Sequence, residues 1–146
     1  MDLFVDYVDD VEKFMQKAGQ NPPQGDSPVH TLTEEERVLR AKLVYEEAME
    51  LINKGLGVDV IDGDFKISRP FNMVETIDGA CDLFWVGVAG VSVACNVDLE
   101  GPLQEVYRSN MSKFIDGYRR DDGKWVKGPS YSPADIAKNI SPRIPF

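Results

Sequence analysis

Histidine is nearly absent: His30 is the only one among 146 residues, and it lies in a polar, Pro-containing stretch. Alone in such a stretch, this imidazole is not read as part of a His-based metal site or triad, so the chemistry is expected to run on carboxylates, Asn and Lys. Cysteine is scarce too. Cys81 and Cys95 lie 14 residues apart; on one helix that is roughly 21 Å, far beyond disulfide reach. Both read as small core residues. Cations are in deficit, with 16 Lys and Arg against 25 Asp and Glu for a net charge of -9. That argues against a nucleic-acid polymer as partner, since such binding needs clustered cations; a cationic partner fits better. The N-terminal MDLFVDYVDDVEKF carries acids where a secretory signal needs a basic start and an unbroken apolar core, so no export signal is read and a cytoplasmic location is expected. The uncharged run from Leu83 to Cys95 has 13 residues, short of the roughly 18 a spanning helix requires, so no membrane is expected as partner.

What is present is helical pattern. The length suits a single domain over 1–146. Phe4, Val8, Val11, Met15 and Ala18 recur at helical spacing, which predicts a first helix over about 2 to 18, ended by Gly19. Thr33 followed three residues later by Glu36 resembles a capping box and opens a second helix running to about Lys54, with Gly55 as its stop. Residues 55 to 71 read as a connecting loop, with room for a short extended piece. A third helix, from about Asn72 to Cys95, is apolar nearly all round and is expected to be a central buried helix. A fourth covers about 101 to 115, started by Asp98 or a neighbour, with Pro102 near its first turn. The tail DDGKWVKGPSYSPADI reads as a turn, an extended arm and a short helix after Pro133, and the final IPF as a docked or disordered end.

The third helix, in ETIDGACDLFWVGVAGVSVA, holds acids inside its apolar run. At 100° per residue, Glu75, Asp78 and Asp82 fall within about 60° of each other. An unpaired buried carboxylate costs several kcal/mol, so Asp82, deepest in the run, needs a cation, a donor network or water beside it. Glu75 and Asp78 also fit a solvated first turn favoured by the helix dipole. On the second helix, Glu46, Glu47 and Glu50 of VYEEAMEL occupy an arc of about 100°, a stripe that any amphipathic helix could show. If the two helices pack antiparallel, two carboxylates from each can converge. Four clustered negative charges are tolerable around hard divalent cations, for which Mg²⁺ or Mn²⁺ is the natural match.

The blocks LRAKLVYEEAMEL, DGACDLFWVGVAG, NVDLEGPLQEVYRSNMSKF and DGKWVKGPSYSPADI, in that order, resemble the all-α nucleoside triphosphate pyrophosphohydrolases. This is the MazG-like superfamily, which includes dimeric dUTPases, dCTP pyrophosphatases and phosphoribosyl-ATP pyrophosphohydrolases, and the likeness is greatest to the last branch. The resemblance implies an all-α fold with an antiparallel four-helix-bundle-like core and an irregular C-terminal arm. It implies Mg²⁺, with Mn²⁺ as an alternative, held by a Glu-x-x-Glu pair and a Glu-x-x-Asp pair. Glu47 and Glu50 match the first pair, with Glu46 as the extra acid, and Asp82 matches the Asp of the second. Gly79 stands where the second Glu belongs; Asp78 is the expected replacement, with Glu75 as the more remote option. Asn110 and Lys113 match positions used near the base and phosphates, and Arg108, Lys124 and Lys127 are further phosphate candidates.

The implied reaction is attack of water between the α and β phosphates of a nucleotide, giving monophosphate and pyrophosphate, a chemistry suited to house-cleaning of nucleotide pools. Glu46 or Glu47 is the expected catalytic acid that orients or deprotonates the water. A homodimer or homotetramer is expected, because helices three and four carry more apolar surface than a monomer of this length needs to bury. Two rivals remain: a non-catalytic metal- or nucleotide-binding or regulatory module that lost turnover with the Glu missing at Gly79, and an acidic interaction protein whose stripes are solvated faces.

Overall fold

A computed structural model describes residues 3–143, so the expectation for the final IPF lies outside the described residues. The described chain is mostly helical, with four helices and two small antiparallel sheets. It divides into two compact units, one running to Asn96 and the other beginning at Val97.

The first unit opens with helix α1, Leu3–Lys17, whose Val8, Val11 and Met15 are buried. These are the periodic positions expected, and Gly19 ends the helix at φ 73°. Helix α2, Glu34–Glu50, starts at the expected capping box: Glu36 N–H donates to Thr33 Oγ1, and the Glu36 carboxylate accepts from Thr33 N–H. It continues through a π-helical turn, Leu51–Gly55. Helix α3 spans Met73–Cys95. It is α-helical over Met73–Leu83 and Gly90–Cys95, with a π-helical segment Phe84–Ala89 between them. Asn72 caps it, and Asn96 ends it in the left-handed conformation at φ 52°.

The α2–α3 pairing runs antiparallel, as a ladder of neighbours shows. A Cβ added at Gly55 would meet Thr76, one at Gly79 would meet Leu51, one at Gly87 would meet Val44, and one at Gly90 would meet Arg40. Numbers rise along one helix as they fall along the other. The core lies between α1 and the later part of α3, where Ala89, Val93 and Ala94 meet Val8, Val11 and Met15. Phe4, Tyr7, Leu32, Phe84 and Trp85 pack around them.

Three expectations are corrected here. The third helix is not buried throughout: apart from Gly79 against Leu51, its buried residues lie toward the C-terminal end, and Met73, Val74 and Ile77 are exposed, because α1 packs on the portion from Phe84 onward and leaves the first turns to α2. Cys81 is exposed and Cys95 half-buried, so only the latter behaves as a core residue. The segment after Gly55 is a β-hairpin, β1 Val58–Ile61 against β2 Asp64–Ile67, with Val60 opposite Phe65 and Ile61 opposite Asp64. Its two-residue loop, Asp62-Gly63, has both φ angles positive, at 50° and 81°, the pairing that matches strand twist in tight hairpins. At 23 residues, α3 as a whole is long and apolar enough by length and composition to cross a membrane. The uncharged run alone had suggested otherwise; core helices meet the same two conditions.

The second unit is built on helix α4, Glu100–Ser112. Asp98 Oδ1 accepts from Glu100 N–H at 2.8 Å, as a starting acid should. The tail folds into a hairpin, β3 Tyr118–Arg119 with β4 Trp125–Val126, followed by a 3₁₀ turn at Ala137–Asn139.

Candidate functional site

The first unit holds a cavity of about 340 Å³ lined by residues of α1, α2 and α3 and by Gln20, just after α1. Its apolar wall includes Val11, Phe14, Met15 and Trp85, with Phe14 and Trp85 edge to face at 5.6 Å between ring centroids. Its polar members are Glu47, Asp82, Arg40 and Gln20. The antiparallel pairing explains the juxtaposition: Glu47 of α2 comes level with Asp82 of α3, while Arg40, two turns earlier, comes level with Gly90. A Cβ at Gly90 would lie 3.0 Å from Arg40 Nη1, so glycine there makes room for the guanidinium.

Glu47 is the most unusual group in this cavity. Its Oε2 is buried and has no hydrogen-bond partner. Burial, then the field of Asp82, then those of Glu50, Glu46 and Asp78, push its carboxyl above the usual carboxylate range. Four of the expected acids, Asp82, Glu50, Glu46 and Asp78, therefore act on one carboxylate; Glu75 is not among them. Arg40 is buried and donates to Gln20 Oε1, and burial lowers its guanidinium's affinity for a proton. Among the described residues no ion pair joins Arg40 to Glu47 or Asp82. Tyr7 is also near, its phenol raised by burial and by Cys81 and Asp82.

The remaining expected acids stand outside the cavity. Glu46, Asp78 and Glu75 are exposed, and Glu50, also exposed, accepts from Lys54 Nζ at 3.2 Å. Among the described residues no three His, Cys, Asp or Glu side chains are grouped closely enough to hold a metal ion. Gly79 has a packing reason to lack a side chain: an added Cβ would sit 3.0 Å from Leu51 Cα. A Glu at this position would force the two helices apart.

The expected phosphate-binding residues all belong to the second unit. Lys113 Nζ donates to Asn110 Oδ1 at 2.9 Å. Arg108 is committed elsewhere, donating to both oxygens of Glu105 at 2.7 and 2.9 Å, to Ser132 Oγ and to the Pro133 carbonyl. Lys124 is exposed, and its backbone N–H donates to Asp122. Lys127 Nζ lies 4.4 Å from the centroid of the Tyr131 ring.

Arg40, Gln20 and Trp85 are the cavity residues that sequence reasoning passed over. Arg40 left a signal: it is seven positions before Glu47, on nearly the same helical face, with Leu43 between them. Compared with protein-family models and with curated proteins, the chain matches none.

Proposed function

We propose that the protein hydrolyses a nucleoside triphosphate or related nucleotide between its α and β phosphates, releasing monophosphate and pyrophosphate. The observation that carries this reading is Glu47: a buried carboxylate oxygen without a partner, beside Asp82, in a cavity with an aromatic wall. An orphaned buried acceptor next to a second carboxylate favours a cation or a water proton as its missing partner. The donors are all oxygens, as hard divalent ions prefer. Glu47, Glu50, Asp78 and Asp82 would hold Mg²⁺ or Mn²⁺, with Glu75 more remote; Glu50 would leave Lys54, and the exposed Asp78 would turn inward. Bound there, the ion would supply Lewis-acid polarisation of the phosphates.

The chain's own groups do the rest. Glu47, with its raised proton affinity, takes a proton from the attacking water at Oε2, and Glu46 lies next to it in sequence to orient that water. Phe14 and Trp85 offer apolar surface to a base, while Arg40 and Gln20 offer a donor and an amide. We extend the reading to an antiparallel four-helix-bundle core and a homodimer or homotetramer. Val60, Ile61, Phe65, Ile67, Phe71, Met73, Val74 and Ile77, close together in sequence, are all exposed, which is the signature of a covered surface.

The test is a pyrophosphate-release screen over standard and modified nucleotides, with Mg²⁺ and with EDTA, on the parent and on Asp82→Asn. Release that needs Mg²⁺ and is lost in the variant supports the reading. Release from no nucleotide, despite a metal-raised thermal midpoint, would leave the second reading, a non-catalytic metal- or nucleotide-binding module. Gly79 in place of a fourth acid is the observation that favours that alternative.

A further inference from the structure

The cationic end of the first unit's cavity is unusually bare of acid. Arg40 is only 7% exposed, and among the described residues its guanidinium donates to one side chain, Gln20 Oε1. Among those residues no carboxylate lies within ion-pair distance of it. A buried cation ordinarily takes such a partner, and in a chain with 25 Asp and Glu they are not in short supply. The acid whose field does reach Arg40 is Glu36, and its carboxylate is committed to the Thr33 N–H and to His30 Nε2.

Room for the guanidinium comes from α3. A Cβ at Gly90 would lie 3.0 Å from Arg40 Nη1 and 3.1 Å from the Trp85 carbonyl, which accepts from the Gly90 N–H. That wide bond closes the π-helical stretch Phe84–Ala89, and such local widenings recur at functional sites. Trp85, Val86 and Gly90 all line the cavity. The polarity of the Arg40–Gln20 pair is fixed by chemistry: a guanidinium only donates, so the Gln20 atom facing it is the carbonyl oxygen, and the amide keeps its NH₂ donors for other partners. A ligand at this end therefore meets N–H donors. Seven positions further along α2, about 10 Å of helix and within about 20° of the same face, Glu47 with Asp82 makes the opposite, acceptor end. A nucleotide with its phosphates toward the acids and their ion would bring the outer edge of its base toward Arg40.

We propose that Arg40, held by Gln20, selects nucleotides whose base carries a carbonyl oxygen at its outer edge, a 4-oxopyrimidine or a 6-oxopurine, over their amino counterparts. This rests on the hydrolase reading and names the substrate class of the same cavity. The base oxygen accepts from the guanidinium in a charge-assisted bond. An exocyclic NH₂ in the same place sets donor against donor and leaves the buried cation's N–H groups unmatched, which is the costly case.

The test is calorimetric titration of non-hydrolysable α,β-methylene triphosphates into the full chain with Mg²⁺, in two pairs that differ at the base edge: uridine against cytidine, and inosine against adenosine. In the pair that binds more tightly, the parent should favour the oxo member by about ten- to a hundredfold, the range for one hydrogen bond to a charged group. Arg40→Gln puts an amide in place of the cation, and an amide can turn either its oxygen or its NH₂ to the base, so the preference should fall to within about twofold. Gln20→Glu keeps an acceptor for Arg40 but exchanges the amide donors for a carboxylate, so the preference should shrink or reverse, a change that a general loss of packing does not produce. Circular dichroism checks the fold of both variants; where Arg40→Gln does not fold, the ratio in Gln20→Glu decides. An Arg40 that is only structural, or that grips phosphate, weakens both members of a pair alike and leaves the parent's ratio in the variants, and that result overturns the selection. So does a parent ratio near one or in favour of the amino member, or no binding of any of the four analogues. Pyrophosphate release from natural nucleotides without preference for the oxo bases sinks the selection alone; oxo-selective binding without release from any nucleotide sinks the hydrolase reading alone.

Discussion

Glu47 in the first unit and Glu105 in the second are both half-buried glutamates on helices, and their surroundings are opposite. Glu105 accepts from Arg108 through both oxygens and from the Asp135 N–H, which hold its carboxyl down to about 2. Glu47 has a buried oxygen with no partner and four acids acting on it, which hold its carboxyl up. A fold that can satisfy one glutamate so fully has left the other unsatisfied. Retained frustration of this kind marks positions kept for a ligand or a proton, whereas Glu105 reads as a fastener between α4 and the Ser132–Asp135 segment.

The contrast predicts opposite costs on neutralisation, and the largest is at the cavity. Glu47→Gln and Asp82→Asn should each lower pyrophosphate release by about 10²-fold or more, the scale for losing a positioned acid or base. Removing a charge from a crowded, partnerless pair relieves repulsion, so without metal both variants should melt at or above the parent's temperature. Mg²⁺ in the millimolar range should raise the parent's midpoint more than theirs, by mass action on the folded state. If either variant instead melts well below the parent with and without Mg²⁺, the carboxylate is a structural acceptor, and its likeness to Glu105 replaces the contrast.

Next in size is Gly79, which tests why the first unit lacks the acid expected there. Gly79→Ala places a Cβ 3.0 Å from the Leu51 Cα, and a helix backbone cannot yield as a flexible side chain does. A loss of about 1 to 3 kcal/mol is expected, in the range of overpacked sites, read as a lower denaturation midpoint. Gly79→Glu should cost more and should not rescue or strengthen metal binding. An undiminished midpoint in Gly79→Ala would show that the helices can separate, and would return a Glu at this site to consideration.

How much of this was legible beforehand differs along the chain. The end of α1 and the starts of α2 and α3 were readable because stops and caps are local: Gly19, Thr33 with Glu36, and Asn72 each act within one turn. The hairpin was under-read even though IDGD is a short-range turn signal between β-branched residues. The acids of α2 and α3 could be placed on faces, but which of them enters the cavity could not. That choice depends on the helix–helix register, set by Gly55, Gly79 and Gly90 meeting side chains some 20 to 50 positions away. Arg40 was missed because an Arg on an amphipathic helix ordinarily lies in water, whereas here it is buried, donates to Gln20 beyond the end of α1 and has room beside Gly90. The division after Asn96 is a property of contacts across the whole chain, and only Asn96 itself, an αL helix stop, marks the place locally.

The smallest effect is expected at Glu105, and its pH dependence distinguishes a fastener from a reactive group. Glu105→Gln keeps the shape but loses the charge that Arg108 grips, so at neutral pH the variant should melt a few degrees below the parent, with pyrophosphate release little changed. The folded carboxyl titrates at about 2, below the ordinary value of about 4.3 for an unfolded Glu. A depressed folded value means that the stabilisation is fully present above the unfolded value and is lost as pH falls through the folded one. The gap in midpoint between parent and Glu105→Gln should therefore be constant from pH 7 to about pH 5, narrow below about pH 4.3, and close near pH 2. Added salt should shrink the gap at neutral pH, since the pair is half in water. A gap that persists unchanged to pH 2 would mean that the carboxylate charge is not what fastens the Ser132–Asp135 segment, and the comparison with Glu47 would then rest on shape rather than on charge.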